Sequence, residues 1–352
     1  MSCYHPNTVI ETSFGEYIDP KTGEYWPNKK QIKFVKKEEP LEKSEKESIE
    51  KHLLEGQRLI ELPCGKCDGC KQNYKGEWAT RCYLESLEHP YNYMITLTYN
   101  EKYAPIGTKG RLSLKKKDFQ DFMKRLRITY KRNFNHDEIS YKMCSEYGSE
   151  ENTMRPHYHF IGFNLPIFDL EKFFISETDG QVYKSKILSE IWGMGYVTVI
   201  ECNWNTCSYV SGYVMKKATT QEDKINYEEL GIIPEFSLTS TKPAIGRRYF
   251  EKNWKDIYNK DGIYIHKKSK KDNWRYIGQL TKPPRYFDKL LKEKDPELYE
   301  IIKAKREENA KANEEMIYKQ TNLSKKEYLE NRERKHKEAL KLIKRRKLKR
   351  VG

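Results

Sequence analysis

Tyr93-Met94-Ile95-Thr96-Leu97-Thr98-Tyr99 is rich in β-branched and aromatic residues. Met94, Thr96 and Thr98 alternate with Ile95, Leu97 and Tyr99, and the run stops at Asn100 before a loop holding Pro105, Gly107 and Gly110. It reads as a strand. Downstream, Lys115 to Tyr130 sets Phe119, Phe122, Met123, Leu126 and Tyr130 at helical spacing with basic residues on the other faces, an amphipathic helix. Ile139 to Tyr147 and His157 to Phe163 read as two more strands, joined by a turn at Gly148 to Asn152. A helix around Tyr183 to Ile191, a strand from Tyr196 to Glu201 and a helix from about Thr206 to Lys217 follow. The order β-α-β-β-α-β-α predicts an α+β fold, an antiparallel sheet backed by helices on one face.

Outward from this block the signals thin. Residues 1 to about 60 lack a periodic apolar pattern, and Lys36 to Lys51 (KKEEPLEKSEKESIEK) reads as a solvated, charged connector. LPCGKCDGC follows, then a helix from Asn73 to Leu87. Phe236 to Phe250 (FSLTSTKPAIGRRYF) reads as a loop, Pro283-Pro284 as a boundary, and Phe287 onward as helix-permissive and highly charged. The expected division is a Cys-rich N-terminal region over 1–90, a central domain over 91–220, its C-terminal extension over 221–286 and a charged helical tail over 287–352.

The 352 residues carry a net charge of +15, which suits a polyanionic partner: DNA, RNA or acidic lipid. No apolar run approaches the roughly 20 residues that span a bilayer, and MSCYHPNTVIETSFGEY has no signal-peptide pattern, so no membrane role is expected. Eight cysteines in such a chain point to free thiols or metal ligands in a reducing, intracellular compartment.

Arg155-Pro156-His157-Tyr158-His159-Phe160 carries the chemistry. Residues i and i+2 of a strand share a face, so His157 and His159 present two imidazoles to one side, either as metal ligands or as satisfied polar residues of a half-buried strand. Glu146 on the preceding strand would complete a His-His-carboxylate set suited to Mg²⁺ or Mn²⁺ acting on a phosphodiester, with Glu150 and Glu151 as competitors. In Ser208-Tyr209-Val210-Ser211-Gly212-Tyr213-Val214-Met215-Lys216-Lys217 the tyrosines lie four apart on one helical face, with Lys216 and Lys217 one turn on. They are amphipathic core residues or nucleophiles. A phenol of pKa about 10 needs activation, which metal-polarised phosphate and nearby ammonium groups would supply.

Cys64, Cys67 and Cys70 supply three thiolates at knuckle-like spacing. A structural zinc ion wants four, with Cys3 the first choice and Cys82 and His5 the competitors; free loop thiols are the other reading. Cys144, Cys202 and Cys207 fall in or beside strands and read as core. Lys344, Arg345, Arg346, Lys347, Lys349 and Arg350 form either a solvated tail or a sequence-independent DNA contact.

ITLTY (Ile95 to Tyr99), RPHYHF and YVSGYVMKK (Tyr209 to Lys217) together resemble the three motifs of the HUH endonucleases that start rolling-circle replication. LPCGKCDGC, EYG before RPHYHF, WGMGYV (Trp192 to Val197) and PAIGRRYF (Pro243 to Phe250) narrow the resemblance to the replication initiators of gokushoviruses, single-stranded DNA phages of the Microviridae, over roughly residues 60 to 250. The resemblance implies that His157, His159 and Glu146 hold the divalent ion and that Tyr209 and Tyr213 alternate as nucleophiles at the phage origin, as single-stranded or supercoiled double-stranded DNA. One strand would be cut to leave a 5′-phosphotyrosyl link and a 3′-OH for a host polymerase, with a host helicase as a further partner, in the cytoplasm of the bacterial host. The displaced strand would be rejoined as a circle. Gly212 departs from relatives that tend to carry a lysine between the tyrosines. Two other readings stand: a non-catalytic zinc-knuckle nucleic-acid-binding protein, and an HUH relaxase or transposase.

Overall fold

A computed structural model describes residues 3–14, 17–18, 25–26, 30–148, 154–176, 180–212, 221–269 and 275–348. The chain divides into two compact units, one of Met1–Asn73 with Lys303–Gly352 and one of Tyr74–Ile302.

The first unit contains β1 (Asn7–Ser13), β2 (Tyr17–Ile18), β3 (Tyr25–Trp26), β4 (Lys30–Lys36), α1 (Lys43–Glu50) and β5 (Gln57–Leu62), followed by the start of α2 (Asp68–Leu87). β1 is the centre of an antiparallel sheet ordered β4-β1-β5. The charged run over 36–51 is thus not a featureless connector. Part of it is α1, whose first turn is closed by a reciprocal cap in which the backbone N–H of Glu42 donates to Glu45 at 2.8 Å. No residue of α1 is buried, so the sequence carries no apolar stripe to announce it.

The second unit takes up α2 from Tyr74 and continues through β6 (Asn92–Tyr99), α3 (Lys116–Phe134), β7 (Ser140–Tyr147), β8 (Pro156–Phe163), β9 (Glu171–Ser176), β10 (Gly180–Lys184), α4 (Lys186–Trp192), β11 (Gly195–Glu201) and α5 (Trp204–Gly212). Then come α6 (Gln221–Leu230), β12 (Ser237–Thr239), α7 (Arg247–Lys260), β13 (Ile263–Ser269), β14 (Arg275–Thr281) and α8 (Arg285–Lys294). α9 (Pro296–Thr321) and α10 (Lys325–Leu348) follow, and from Lys303 they belong to the first unit. Among the described residues no helix is long and apolar enough to cross a membrane.

Seven strands form one sheet, β12-β7-β8-β6-β11-β10-β9, antiparallel throughout. Period-two alternation sends Ile95, Leu97, Tyr158, Phe160 and Val197 to one face, where they pack with Phe119, Phe122 and Leu126 of α3 and Trp192 of α4. Each fully buried side chain of this kind contributes about 1.5–3 kcal/mol. The buried hydroxyl of Tyr99 is satisfied: it donates to Asp118 Oδ2 at 2.8 Å and lies 2.9 Å from the Tyr158 hydroxyl. WGMGYV turns α4 into β11. Gly193 ends the helix at φ 66°, and a Cβ on Gly195 would stand 2.2 Å from the Thr98 carbonyl oxygen, so only glycine lets the strands meet there.

The second face is covered in part as well, which one-sided backing does not describe. Met94, Ile161, Phe163 and Ile200 pack there with Cys82 of α2 and Cys207 and Val210 of α5. Cys144 joins them, and Cys202 packs against the cluster from partial burial. Tyr183 lies in β10, paired with Val199, rather than in a helix, which begins only at Lys186. PAIGRRYF is half helix: Gly246 caps α7 and donates its N–H to the buried carboxylate of Glu85 at 2.7 Å. β12 also falls in the expected loop, pairing with β7. A third cluster, with Leu84, Phe250, Ile263, Ile265 and Phe287, closes the remainder of the unit.

Candidate active site

β8 lies between β7 and β6, and its register sets Glu146 and Thr98 beside His157, and Cys144 and Thr96 beside His159. Directly opposed residues share a face, so these six side chains point to the side that α5 partly covers. His159 is 7 % exposed. Its Nε2 meets Glu146 Oε2 at 3.2 Å, a diagonal reach, and its Nδ1 meets Thr96 Oγ1 at 2.9 Å. The ring is therefore held at both nitrogens. The His157 ring lies 5.9 Å away at 63°. Gly148, which pairs its N–H with the Arg155 carbonyl at 3.0 Å, brings its backbone beside that ring; a Cβ there would stand 3.4 Å from His157 Nε2.

α5 delivers the tyrosine. Asn203 Oδ1 accepts the N–H groups of Asn205 at 2.8 Å and Thr206 at 3.1 Å, while Thr206 Oγ1 accepts the N–H of Asn203 at 2.8 Å. From this capped start Cys207 and Val210 are buried, and Tyr209 is 44 % exposed with its ring edge-on to His159, centroids 5.3 Å apart at 85°. Tyr213, Lys216 and Lys217 lie outside the described residues, as do Glu150 and Glu151. Thr96 is a site residue that the sequence reading passes over. Its only signal is position, in the middle of ITLTY and on the face opposite the core.

The donor chemistry of His157, His159 and Glu146 fits a hard divalent ion. Adjacent ligands on an octahedral ion with bonds of about 2.1 Å stand about 3.0 Å apart, close to the 3.2 Å between His159 Nε2 and Glu146 Oε2. The three side chains do not all converge within 4.8 Å. Among the described residues only Cys3, Cys64, Cys67 and Cys70 form such a group.

Those four sulfurs sit at the edge length of a tetrahedral zinc site. Bonds of about 2.3 Å give S···S separations of about 3.8 Å, and Cys64–Cys70 and Cys67–Cys3 are both 3.9 Å. Backbone N–H groups point at sulfur: Tyr4 to Cys67 at 3.4 Å, Cys64 to Cys3 at 3.3 Å and Cys67 to Cys64 at 3.4 Å. Burial pushes the Cys3 thiol up and Cys70 up to about 11. At Cys67 the same burial is outweighed by the Tyr4 and Cys70 amides, and its thiol falls to about 7. Of the competing ligands, His5 pairs with Glu333 at 3.1 Å and Cys82 is core in the other unit.

A central His-x-His strand faced by a tyrosine helix belongs, in this chain, to a protein that starts DNA replication. The family of the replication-associated protein ORF2 matches residues 92–218. The chain is 35 % identical to the replication-associated protein ORF2 of Spiroplasma virus 4, over 71 % of this chain and 74 % of that one. It is 29 % identical to the replication-associated protein VP4 of Bdellovibrio phage phiMH2K, over 69 % and 71 % of the two chains. Against the replication-associated protein ORF4 of Chlamydia phage 1 it is 29 % identical over 56 % and 54 %. The chain belongs to this family of phage replication-associated proteins. No solved structure matches it.

Proposed function

We propose that the chain initiates rolling-circle replication by nicking one strand of a phage origin, with Tyr209 and Tyr213 as alternating nucleophiles. The observation that carries this reading is the constellation at His159: a buried imidazole bonded to Glu146 at 3.2 Å and set edge-on to the exposed Tyr209, ring centroids 5.3 Å apart. His157, His159 and Glu146 would hold Mg²⁺ or Mn²⁺, which would polarise the scissile phosphate. The chain's own work is positional. The sheet fixes the imidazoles, Thr96 orients His159, and α5 carries the phenol to the same edge. Attack by the Tyr209 oxygen on phosphorus forms the Tyr–O–P bond and breaks P–O3′. The phenol proton is lost as the departing 3′-oxygen gains one. A 5′-phosphotyrosyl end remains, and the free 3′-OH serves a host polymerase. Because one phosphodiester is exchanged for another, the reverse attack rejoins the displaced strand as a circle without a nucleotide cofactor.

In this reading residues 91–220 form the nicking domain, extended by 221–286, the region 1–90 carries a structural zinc at its four cysteines, and the tail 287–352 adds cationic contacts. The substrate is the viral origin, single-stranded or supercoiled, in the cytoplasm of the bacterial host, where a helicase continues the opening. The test is incubation with a single-stranded origin oligonucleotide and Mn²⁺, denaturing electrophoresis and peptide mapping. An adduct on the peptide holding Tyr209 or Tyr213, lost in His159→Ala and weakened in Glu146→Ala, is expected. An adduct formed by His159→Ala at the wild-type rate with saturating metal would overturn the assignment.

A further inference from the structure

We infer that the ammonium group of Lys75, carried by α2 into the space left open by Gly212 of α5, stabilises the phenolate and the transferring phosphate at Tyr209. This rests on the nicking role proposed for Tyr209. Where a Cβ would stand on Gly212, Lys75 places Cε at 3.3 Å, Nζ at 3.4 Å and Cδ at 3.6 Å. The lysine stem thus lies on the bare backbone of the glycine.

Packing makes this placement specific. Lys75, Ala79 and Cys82 fall at i, i+4 and i+7 of α2 and share one face. Ala79 is buried, and Cys82 packs in the cluster that holds Cys207 and Val210 of α5. The earlier end of this stripe meets the later end of α5, so the two helices run past each other in opposite directions. Tyr209 and Gly212 are three apart on α5, hence neighbours on its surface at about 5–6 Å between Cβ positions. An ammonium group against position 212 is therefore within a turn of the tyrosine that faces His159.

The chemistry asks for a cation there. Attack on phosphorus develops charge on the phenolic and phosphoryl oxygens, and a fixed cation at a water-poor edge lowers the barrier more than one in bulk water. Lys75 keeps its proton throughout and acts by its charge. Gly212 is what admits it, since a methyl group at 212 would stand 3.3 Å from Cε and push the flexible end of the lysine aside.

Two measurements on the full chain test this. In the first, Lys75→Met and Gly212→Ala are compared for the rate of covalent adduct formation with Mn²⁺ between pH 6 and 10. Each is expected to slow the reaction by roughly tenfold or more near neutral pH, in line with the loss of one electrostatic donor. The pH dependence should move to higher pH, and Lys75→Arg should restore most of the rate. The double variant should lose little more than either single one, because both remove the same cation. In the second, metal-free binding to the origin oligonucleotide, Lys75→Met should flatten the slope of log K against log salt by about 0.7, the share of one phosphate contact on a single strand. An unshifted pH profile in Lys75→Met, or losses that simply multiply in the double variant, would overturn the inference. A wild-type chain that forms no adduct would instead sink the nicking reading, while the salt slope would still report whether Lys75 meets phosphate.

Discussion

Replacing Thr96 with valine removes one hydroxyl and nothing else of consequence. Valine keeps the β-branched shape that suits the middle of β6, and the change leaves Nδ1 of His159 without the 2.9 Å partner it now has. The hydroxyl matters because it serves two tautomers. With a proton on Nε2, shared with Glu146, Nδ1 accepts from the threonine; with Nε2 given over to an ion, Nδ1 carries the proton and donates to the same oxygen. Valine serves neither state. His159 is 7 % exposed, so water replaces the lost partner poorly, and the penalty for such a group is about 1–3 kcal/mol. At 1.36 kcal/mol per decade, that becomes a loss of roughly five- to 150-fold in metal affinity. The assay is adduct formation on the origin oligonucleotide as Mn²⁺ is raised. The midpoint should move to higher metal by that factor, and the plateau should be largely recovered. A Thr96→Val chain with the wild-type midpoint would show that the 2.9 Å contact does not orient His159 for a metal.

Tyr209→Phe and Tyr213→Phe should each allow a single transfer and block repeated cycles, and the double variant should give no adduct by denaturing electrophoresis; an adduct in the double variant would place the nucleophile elsewhere. Cys67→Ser should remove zinc that is stoichiometric in protein purified without chelator, and should raise proteolysis of the first 73 residues while 74–302 stay protected. Wild-type protein free of zinc by elemental analysis would return the cysteines to the thiol pool. Deleting the tail from Lys341 should weaken binding at low salt and make the salt slope shallower, with cleavage preserved at saturating DNA. An unchanged slope would make the tail a solvated helix end.

What can be read from the sequence follows from periodicity and local spacing. β6, β7 and β8 each have one face against α3, so their alternation is visible, and α3 shows the stripe it buries. β9 escapes such a reading because it is an edge strand: Glu171 to Ile175 are exposed on both faces and give no alternation to detect. The histidine pair and Tyr209 are legible because two-residue and four-residue spacings are local. The contacts that organise them are not local. Thr96 lies 63 residues from the histidine it holds, Cys3 lies 61 residues from Cys64, and Lys75 meets Gly212 across most of the second unit. The sequence places Glu146 near the pair, yet strand register sets it opposite His157 while its carboxylate bonds diagonally to His159. That choice depends on side-chain length and on what fills the adjacent corner, which one strand's sequence does not encode.

The first unit is sewn from two distant stretches. Tyr4 hydroxyl meets His336 Nδ1 at 3.1 Å, His5 meets Glu333 at 3.1 Å, and Glu61 meets Lys325 at 2.6 Å. The second unit is one uninterrupted stretch, Tyr74–Ile302. On the ribosome the two therefore mature in a fixed order. The histidine strand and tyrosine helix can be folded while α10 is still being made, but the N-terminal sheet must wait for α10 before its partners exist. A message broken before codon 325 would yield a nicking domain with its first seventy residues unmatched. In the cell, translation through α10 is thus checked by the same contacts that hold the N-terminal segment in place.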